Sequence, residues 1–272
     1  MISAADRAFV AELCLTRAGL KVDPEKTYLI ESRLSPLARR ECFGSPQSFV
    51  DALRHGADDR LVWAAVEAMA LPESEFFRDH AVFARLAEDV VPGLARIRAG
   101  EPVRIWSATC GTGQEIYSLA MLLADAPGPP IKVELFASDL SERSLEKAQS
   151  GLYSQFEVQR GLPARMLVRH FEKQGESFAL SPRIRQMVRW RRVNLMDDLS
   201  RLGQFDLVLC RNALGQYAPD AVARVQARLR AALAPGGRLV LGQNDSAGRD
   251  FVRAAPDMGL YAATDDIARS AA

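Results

Sequence analysis

Two glycines and an acid stand where the chain leaves two predicted strands. Gly111 and Gly113 follow the apolar run 103–106 in a glycine turn, residues 110–113, and Asp139 ends the next apolar run. In an open parallel sheet, ligands bind at the carboxyl ends of the strands. Glycines let a ligand approach the backbone there, and a carboxylate at the second strand end can accept hydrogen bonds from two ribose hydroxyls.

The glycine turn differs from a dinucleotide-binding turn. The GxGxxG pattern requires a third glycine three residues after the second, and Ile116 occupies that position. The turn and the acid therefore suit a mononucleoside such as S-adenosylmethionine. The alternative interpretation is a tight corner between a strand and a helix, with an acid that faces solvent.

Two further predicted strands end in polar residues. Asn194 and Leu195 close the third strand, and Arg211 and Asn212 close the fourth. The carboxyl ends of parallel strands meet at one edge of a sheet, so both pairs are expected to line the same crevice as the acid. Capping of the strand ends is the alternative for these two pairs.

The chain changes pattern near residue 95. Residues 1–95 show helical spacing only, with Gly19 as a stop for the first helix and Ser45 and Pro46 as the start of the third. Residues 96–272 alternate strands and helices, which predicts an α/β domain with a doubly wound parallel sheet. A segment at about 165–187 breaks this alternation and is predicted to be a small β insertion.

Composition argues against several other classes of protein. The 272 residues carry a formal net charge of +1, which gives no argument for binding nucleic acid or a membrane surface. No stretch approaches the ~20 apolar residues of a membrane span, and the N-terminus lacks a signal-peptide pattern, so we predict a cytoplasmic protein. Four scattered cysteines, expected to be reduced and packed, and three histidines argue against a metal site.

Seven segments resemble those of the CheR-type chemotaxis methyltransferases in order and spacing. They are "LPESEFFRD", "RIWSATCGTGQEIYSLAM", "ASDLSERSLEKAQSGLY", "RGLPARMLVRHF", "RRVNL", "FDLVLCRN" and "LAPGGRLVLG". This family transfers methyl from S-adenosylmethionine to glutamate side chains of chemoreceptors. The resemblance spans nearly the whole chain. It implies a helical N-terminal domain and a Rossmann-like class I methyltransferase domain with a small antiparallel β insertion.

The resemblance also implies roles for the residues named above. Glu115 matches the acid that contacts the methionine end of the cofactor, and Asp139 matches the ribose acid. The implied cofactor-binding set is Ser74, Arg78, Gly111, Gly113, Glu115, Asp139, Asn194, Leu195, Arg211 and Asn212. Asn194 and Leu195 would flank the adenine, and Arg211 and Asn212 would close the floor of the crevice.

The implied catalytic residues are Ser74, Arg78 and Tyr217. The acceptor glutamate is ionised at pH 7, because its usual pKa is about 4.3, so the displacement requires no general base. A cation such as Arg78 can hold the acceptor carboxylate through two parallel hydrogen bonds. A surface salt bridge at a helix start, with Asp79 nearby, is the alternative for Arg78.

Two departures from the family pattern lie on the methyl-acceptor side. Pro72 stands where the family has asparagine, and Gln216 stands where it has tyrosine, with Tyr217 one place later. These departures raise two alternatives to the receptor methyltransferase. One is a weak or inactive CheR-like protein that binds S-adenosylmethionine or S-adenosylhomocysteine as a regulatory or scaffolding module. The other is a methyltransferase with a different acceptor.

The expected partner is the cytoplasmic domain of a chemoreceptor. Arg33, Arg39 and Arg40 lie on the second predicted helix, which in the family faces the receptor; a solvated charged face is the alternative. Some family members bind a C-terminal receptor peptide through a longer glycine-rich loop, whereas "EKQGES" is short, so no such tether is predicted. The basic segment 183–193 alternates along a predicted strand, and no nucleic-acid binding is expected.

Overall fold

Helices dominate the first of two structural units. The computed structural model describes residues 2–70 and 74–265; the first unit comprises residues 2–70 and 215–225, and the second comprises 74–214 and 226–265. The helices of the N-terminal part are α1 (Ala4–Ala18), α2 (Thr27–Arg40), α3 (Pro46–Arg54) and α4 (Asp59–Met69).

Local sequence signals set the ends of these helices. Gly19 follows α1 in the left-handed conformation, with a φ of 67°, which glycine adopts without steric cost. The Ser45 hydroxyl accepts a hydrogen bond from the Ser48 amide at the start of α3, and Pro46 is its first residue. The predicted stop and the predicted start are both confirmed.

The first unit also includes a segment from late in the chain. Leu20 forms an antiparallel bridge with Tyr217, the Lys21 amide donates to the Gln216 carbonyl at 2.8 Å, and the Ala218 amide donates to the Gly19 carbonyl at 2.9 Å. Residues 215–225 are thereby joined to the chain that follows α1.

A seven-stranded sheet forms the centre of the second unit. The strands of the unit are β1 (Val103–Ser107), β2 (Val133–Asp139), β3 (Leu152–Ser154), β4 (Phe171–Gln174), β5 (Ser177–Leu180), β6 (Val188–Arg192), β7 (Phe205–Cys210), β8 (Leu233–Leu241), β9 (Phe251–Ala255) and β10 (Leu260–Ala263). The large sheet has the order β6-β2-β1-β7-β8-β10-β9. Its first five strands are parallel, and β10 runs antiparallel to β8 and β9.

Two of the remaining helices precede β1, and the others lie between strands. They are α5 (His80–Arg85), α6 (Val91–Ile97), α7 (Gln114–Asp125), α8 (Glu142–Ser150), α9 (Gln155–Gln159), α10 (Ala164–His170), α11 (Pro182–Arg185) and α12 (Pro219–Ala231), the last of which begins in the first unit. A π-helical turn, Leu86–Val90, lies between α5 and α6, and 3-10 turns span Ser200–Leu202, Leu214–Gln216 and Pro256–Met258. The strand order reverses between β1 and β7, which places the switch point at their carboxyl ends.

The division into units differs from the boundary predicted at residue 95. Helices α5 and α6 belong to the second unit, because their apolar side chains share its core. Phe83, Leu86, Val91 and Leu94 are buried in the same cluster as Ile105 of β1. Helical periodicity identified these helices but carried no information about which core they join.

The β insertion is a three-stranded antiparallel sheet with the order β3-β5-β4. It extends from residue 152 to 180 and so starts earlier than the predicted range of 165–187. Leu152 pairs with Ala179, which adds β3 to the sheet. A three-residue strand shows no alternation of its own, and the sequence pattern missed it.

Two other expectations concern the cysteines and the membrane. Cys14, Cys110 and Cys210 are buried free thiols as expected, whereas Cys42, in the turn after α2, is exposed. Over the described ranges, no group of three or more metal-ligating side chains is found. The helices described are all too short or too polar to cross a bilayer.

Candidate cofactor site at the strand ends

The glycine turn connects β1 to α7 and requires its glycines. Gly111 and Gly113 have φ values of 52° and 91°, in the left-handed region that other residues rarely adopt. A Cβ on Gly113 would lie 2.9 Å from the Ala148 Cβ and 3.0 Å from the Trp190 side chain. The turn is therefore packed closely against Ala148 and Trp190.

Asp139 ends β2 beside this turn. One carboxylate oxygen accepts a hydrogen bond from the Gly111 amide at 2.8 Å, and the other accepts from the Ser141 amide at 2.9 Å. Burial raises the pKa of Asp139, and the amides of Ser141 and Gly111 lower it in part. The two amides fix the orientation of the carboxylate, whose remaining lone pairs can accept further hydrogen bonds.

Arg211 joins two carboxylates at the end of β7. Its side chain is 1% exposed, and its two terminal nitrogens lie 2.5 Å from Glu115 Oε1 and 2.5 Å from Asp79 Oδ2. The guanidinium also lies over the Phe83 ring, 5.3 Å from its centroid. Its hydrogen bonds hold Glu115 and Asp79 in place, and its position at the floor of the crevice stays a prediction.

A strap, residues 74–79, connects to the glycine turn and α7. The Phe77 amide donates to the Ser118 hydroxyl at 2.9 Å, and the Ser74 hydroxyl lies 3.5 Å from the Cys110 carbonyl oxygen. Phe77 and Asp79 have positive φ values of 50° and 59°, and such strained backbone is concentrated at functional sites. Half-buried Arg78 lies between them.

Glu115 is an acid of this cluster with a perturbed pKa. Burial raises its pKa to about 7, while the positive charges of Arg211 and Arg78 act in the opposite direction. The structure thus brings Arg78, Glu115 and Arg211 together. The strap brings Asp79 to the same cluster.

Three residues of this site were not assigned a role from the sequence. Asp79 pairs with Arg211, and the Gln243 side-chain amide donates to the second Asp79 carboxylate oxygen at 3.0 Å. Asp245 accepts from the Asn212 amide at 2.6 Å and from the Gly242 amide at 3.1 Å. The position of Gln243 and Asp245 directly after β8 is the signal that could have identified them.

The pair Asn194–Leu195 lies beyond the end of β6. The strand ends at Arg192, and Asn194 then forms a turn in which its side-chain oxygen accepts from the Met196 amide at 3.0 Å. Leu195 is buried, and its carbonyl accepts from Arg228 at 3.0 Å. Their predicted contact with adenine stays a prediction.

The departures from the family pattern on the methyl-acceptor side are Pro72, Gln216 and Tyr217. Tyr217 and Gln216 belong to the first unit, where they join the chain after α1. The predicted catalytic role of Tyr217 stays a prediction. Pro72 lies outside the described residues.

Comparison with known proteins identifies the family. Residues 72–254 match the model of the "CheR methyltransferase, SAM binding domain". The chain is 35% identical over 237 residues to chemotaxis protein methyltransferase 1 of Vibrio cholerae, with 85% of each chain covered. It is 34% identical over 248 residues to chemotaxis protein methyltransferase 1 of Pseudomonas aeruginosa, with 88% of each covered.

The chain belongs to the CheR methyltransferase family. The CheR domain that it contains is an S-adenosylmethionine-binding domain, and this cofactor can be tested against the charges of the site. The acids Asp79, Glu115, Asp139 and Asp245 outnumber the cations Arg78 and Arg211. S-Adenosylmethionine carries a sulfonium and an ammonium group against one carboxylate. Its ribose has two hydroxyl donors, which the remaining lone pairs of a carboxylate placed like Asp139 would accept. The residues present therefore fit the cofactor in both charge and hydrogen-bonding capacity.

The raised pKa of Glu115 predicts a pH dependence of the stability of this CheR protein. The side chain titrates near 4.5 when unfolded and near 7 when folded, so between these values the folded state holds a proton that the unfolded state lacks. The stabilisation is complete below about pH 4.5 and is lost as the pH rises through 7. Relative to Glu115→Gln, the wild type should lose unfolding free energy between pH 5 and pH 8 in urea titrations.

Other titrating groups contribute to both proteins and largely cancel in this difference. A difference that stays constant, or grows with pH, would contradict the prediction. It would mean that pairing with Arg211 outweighs burial for this carboxyl group.

Proposed function

We propose that this protein transfers the methyl group of S-adenosylmethionine to glutamate side chains of chemoreceptors, in the cytoplasm. The observation that carries the proposal is the cluster of Arg78, Glu115 and Arg211 at the strand ends of a CheR domain, with Asp139 on the next strand. The relatives named above, which are chemotaxis methyltransferases, support the choice of acceptor.

The reaction depends on positioning of the cofactor and the acceptor carboxylate rather than on proton transfer. When bound, S-adenosylmethionine supplies a methyl group on a positively charged sulfur, which a carboxylate can attack directly. Arg78 attracts and orients the acceptor carboxylate, ideally through two parallel hydrogen bonds. Asp139 holds the ribose and Glu115 holds the ammonium group at the methionine end, so that most of the rate enhancement comes from orientation.

The three arginines of α2 that were predicted to face the receptor differ in their exposure. Arg33 donates to the Met69 carbonyl at 2.6 Å, at the end of α4, and burial lowers its pKa. Arg33 is thus engaged within the first unit, whereas Arg39 and Arg40 are exposed. We propose that Arg39 and Arg40 contact the acidic surface of the receptor.

The β insertion supports the absence of a peptide tether. The connection between β4 and β5 consists of two residues, Gly175 and Glu176, in place of a longer glycine-rich loop. We propose that binding does not depend on the receptor's C-terminal tail, and a receptor lacking that tail should keep its KM.

The experiment that tests the function is methyl transfer from tritiated S-adenosylmethionine to receptor-bearing membranes, with release of base-labile methanol as the readout. Arg78→Ala should reduce the rate at least 100-fold, because the acceptor carboxylate loses its cation. Arg85→Ala is the matched control, since Arg85 forms exposed pairs with Asp89 and Asp257.

Charge reversal at Arg39 and Arg40 tests the docking proposal. It should raise the KM for receptor and leave kcat nearly unchanged, and the effect should be smaller at high salt.

Two outcomes would contradict the proposal. Protein that binds the cofactor but releases no methanol would favour the non-catalytic alternative. Labelled methyl in base-stable form, or in membranes without receptor, would indicate another acceptor.

A further inference from the structure

Two buried tyrosines lie beside the glycine turn and make different contacts. The Tyr153 hydroxyl, on β3, donates to the carbonyl oxygen of Thr112 at 2.8 Å. The Tyr117 hydroxyl, on α7, donates to the carbonyl oxygen of Ala148 at 2.9 Å. Both side chains are fully buried. One tyrosine therefore restrains the turn, and the other restrains the end of α8.

The Thr112 carbonyl lies in the part of the turn with the greatest backbone freedom. It belongs to the peptide bond between Thr112 and Gly113. Both neighbours of Thr112 are glycine, the residue type with the greatest backbone freedom to lose on ordering. On either side, the Gly111 amide donates to Asp139 and the Gly113 amide donates to the Cys110 carbonyl at 2.9 Å. The Tyr153 hydroxyl adds a restraint from outside the turn and from a different part of the chain.

Packing fixes the Tyr153 ring without help from its hydroxyl. The ring makes edge-to-face contacts with Phe76 of the strap and Phe171 of the β insertion, at centroid distances of 5.0 and 6.3 Å. Phe76 and Phe171 in turn contact each other at 5.7 Å. Removal of the hydroxyl should therefore leave the aromatic cluster in place and free only the turn.

We propose that Tyr153 is a positioning residue for the cofactor: the β insertion, through this one hydroxyl, holds the glycine turn in the conformation that binds S-adenosylmethionine. The inference rests on the proposed placement of the cofactor at this turn. A protein in which the turn adopts the competent conformation only part of the time binds with an apparent Kd raised by the inverse of that fraction. Once the cofactor is bound, the turn is ordered, and the chemical step proceeds at its usual rate.

The test compares Tyr153→Phe with Tyr117→Phe by calorimetric titration with S-adenosylhomocysteine. Each variant removes one buried hydroxyl that donates to a backbone carbonyl, and in Tyr117→Phe the Ala148 carbonyl keeps the Gly151 amide as a partner. Tyr153→Phe should raise the Kd five- to tenfold above that of Tyr117→Phe. Methyl transfer at saturating cofactor should keep its kcat, and circular dichroism should show both variants folded.

A third variant replaces Tyr153 with 4-aminophenylalanine, which keeps the ring and restores a donor. Its Kd should return to within about threefold of the wild type. Equal Kd values for the two phenylalanine variants, or a Kd that the restored donor leaves unchanged, would overturn the inference. Wild-type protein that binds S-adenosylhomocysteine but transfers no methyl would instead contradict the proposed function, and the comparison of Kd values would still stand.

Discussion

Asp139→Asn should weaken binding of S-adenosylhomocysteine about 100-fold, which corresponds to about 2.7 kcal/mol. The carboxylate accepts from the Gly111 and Ser141 amides and has lone pairs left for two ribose hydroxyls. Asparagine replaces one acceptor oxygen with an NH2 group. This donor would face another donor, either a backbone amide or a ribose hydroxyl, in place of an acceptor. Hydrogen bonds to charged groups contribute about 1.5–3 kcal/mol each, so the loss of one, together with a donor–donor contact, accounts for the expected change.

Calorimetric titration measures the effect, with Asp198→Asn as the control. Asp198 is an exposed acid on the loop after the neighbouring strand β6, where its carboxylate accepts hydrogen bonds from Ser200, and its replacement should change the Kd less than twofold. The fold should tolerate Asp139→Asn, since burial already disfavours the charged form of Asp139. Unchanged affinity in a folded variant would show that the acid does not contact the ribose.

Arg211→Met should lower the free energy of unfolding by about 3–5 kcal/mol, because it leaves the buried Glu115 carboxylate without its paired cation. Glu115 is 6% exposed, and the arginine connects it with Asp79. Arg85→Met is the matched control: it also removes an arginine with two acidic partners, but all three side chains are at least 43% exposed. Pairs of that kind contribute about 0–1 kcal/mol.

Urea unfolding at pH 8 separates the two variants. Addition of Glu115→Gln to Arg211→Met should recover part of the lost stability, because the double variant no longer buries an unpaired charge. Equal losses for Arg211→Met and Arg85→Met would show that the Glu115–Arg211–Asp79 network contributes no more than a surface pair.

The elements around the cofactor turn could be predicted from local signals. The glycines at 111 and 113 and the acid at 139 follow apolar runs, and the physics of parallel sheets places such strand ends together. Helix α1 ends at the glycine that predicts its stop, and α3 begins at the serine and proline that predict its start. In each case the signal lies within a few residues of the feature it determines.

The features that the sequence did not reveal depend on contacts between distant segments. Asp79 contacts Arg211, 132 positions later in the sequence, and Gln243, 164 positions later. Aspartate and glutamine are both common on protein surfaces, so neither residue type marks its position as part of a site. Helices α5 and α6 have the same periodicity as the N-terminal helices, although their apolar faces join a different core. Arg33 resembles Arg39 and Arg40 in sequence, and its partial burial and its hydrogen bond to the Met69 carbonyl distinguish it in the structure.

The first unit is discontinuous in sequence, and this affects how the chain can be divided. Residues 215–225 fold with the N-terminal helices although they lie inside the stretch, 72–254, that the family model spans. A fragment beginning at residue 72 would therefore retain these residues and lose the backbone partners of 216–218 at positions 19–21. The pair Gln216–Tyr217 therefore depends on the N-terminal helices for its backbone partners, which lie at positions 20 and 21.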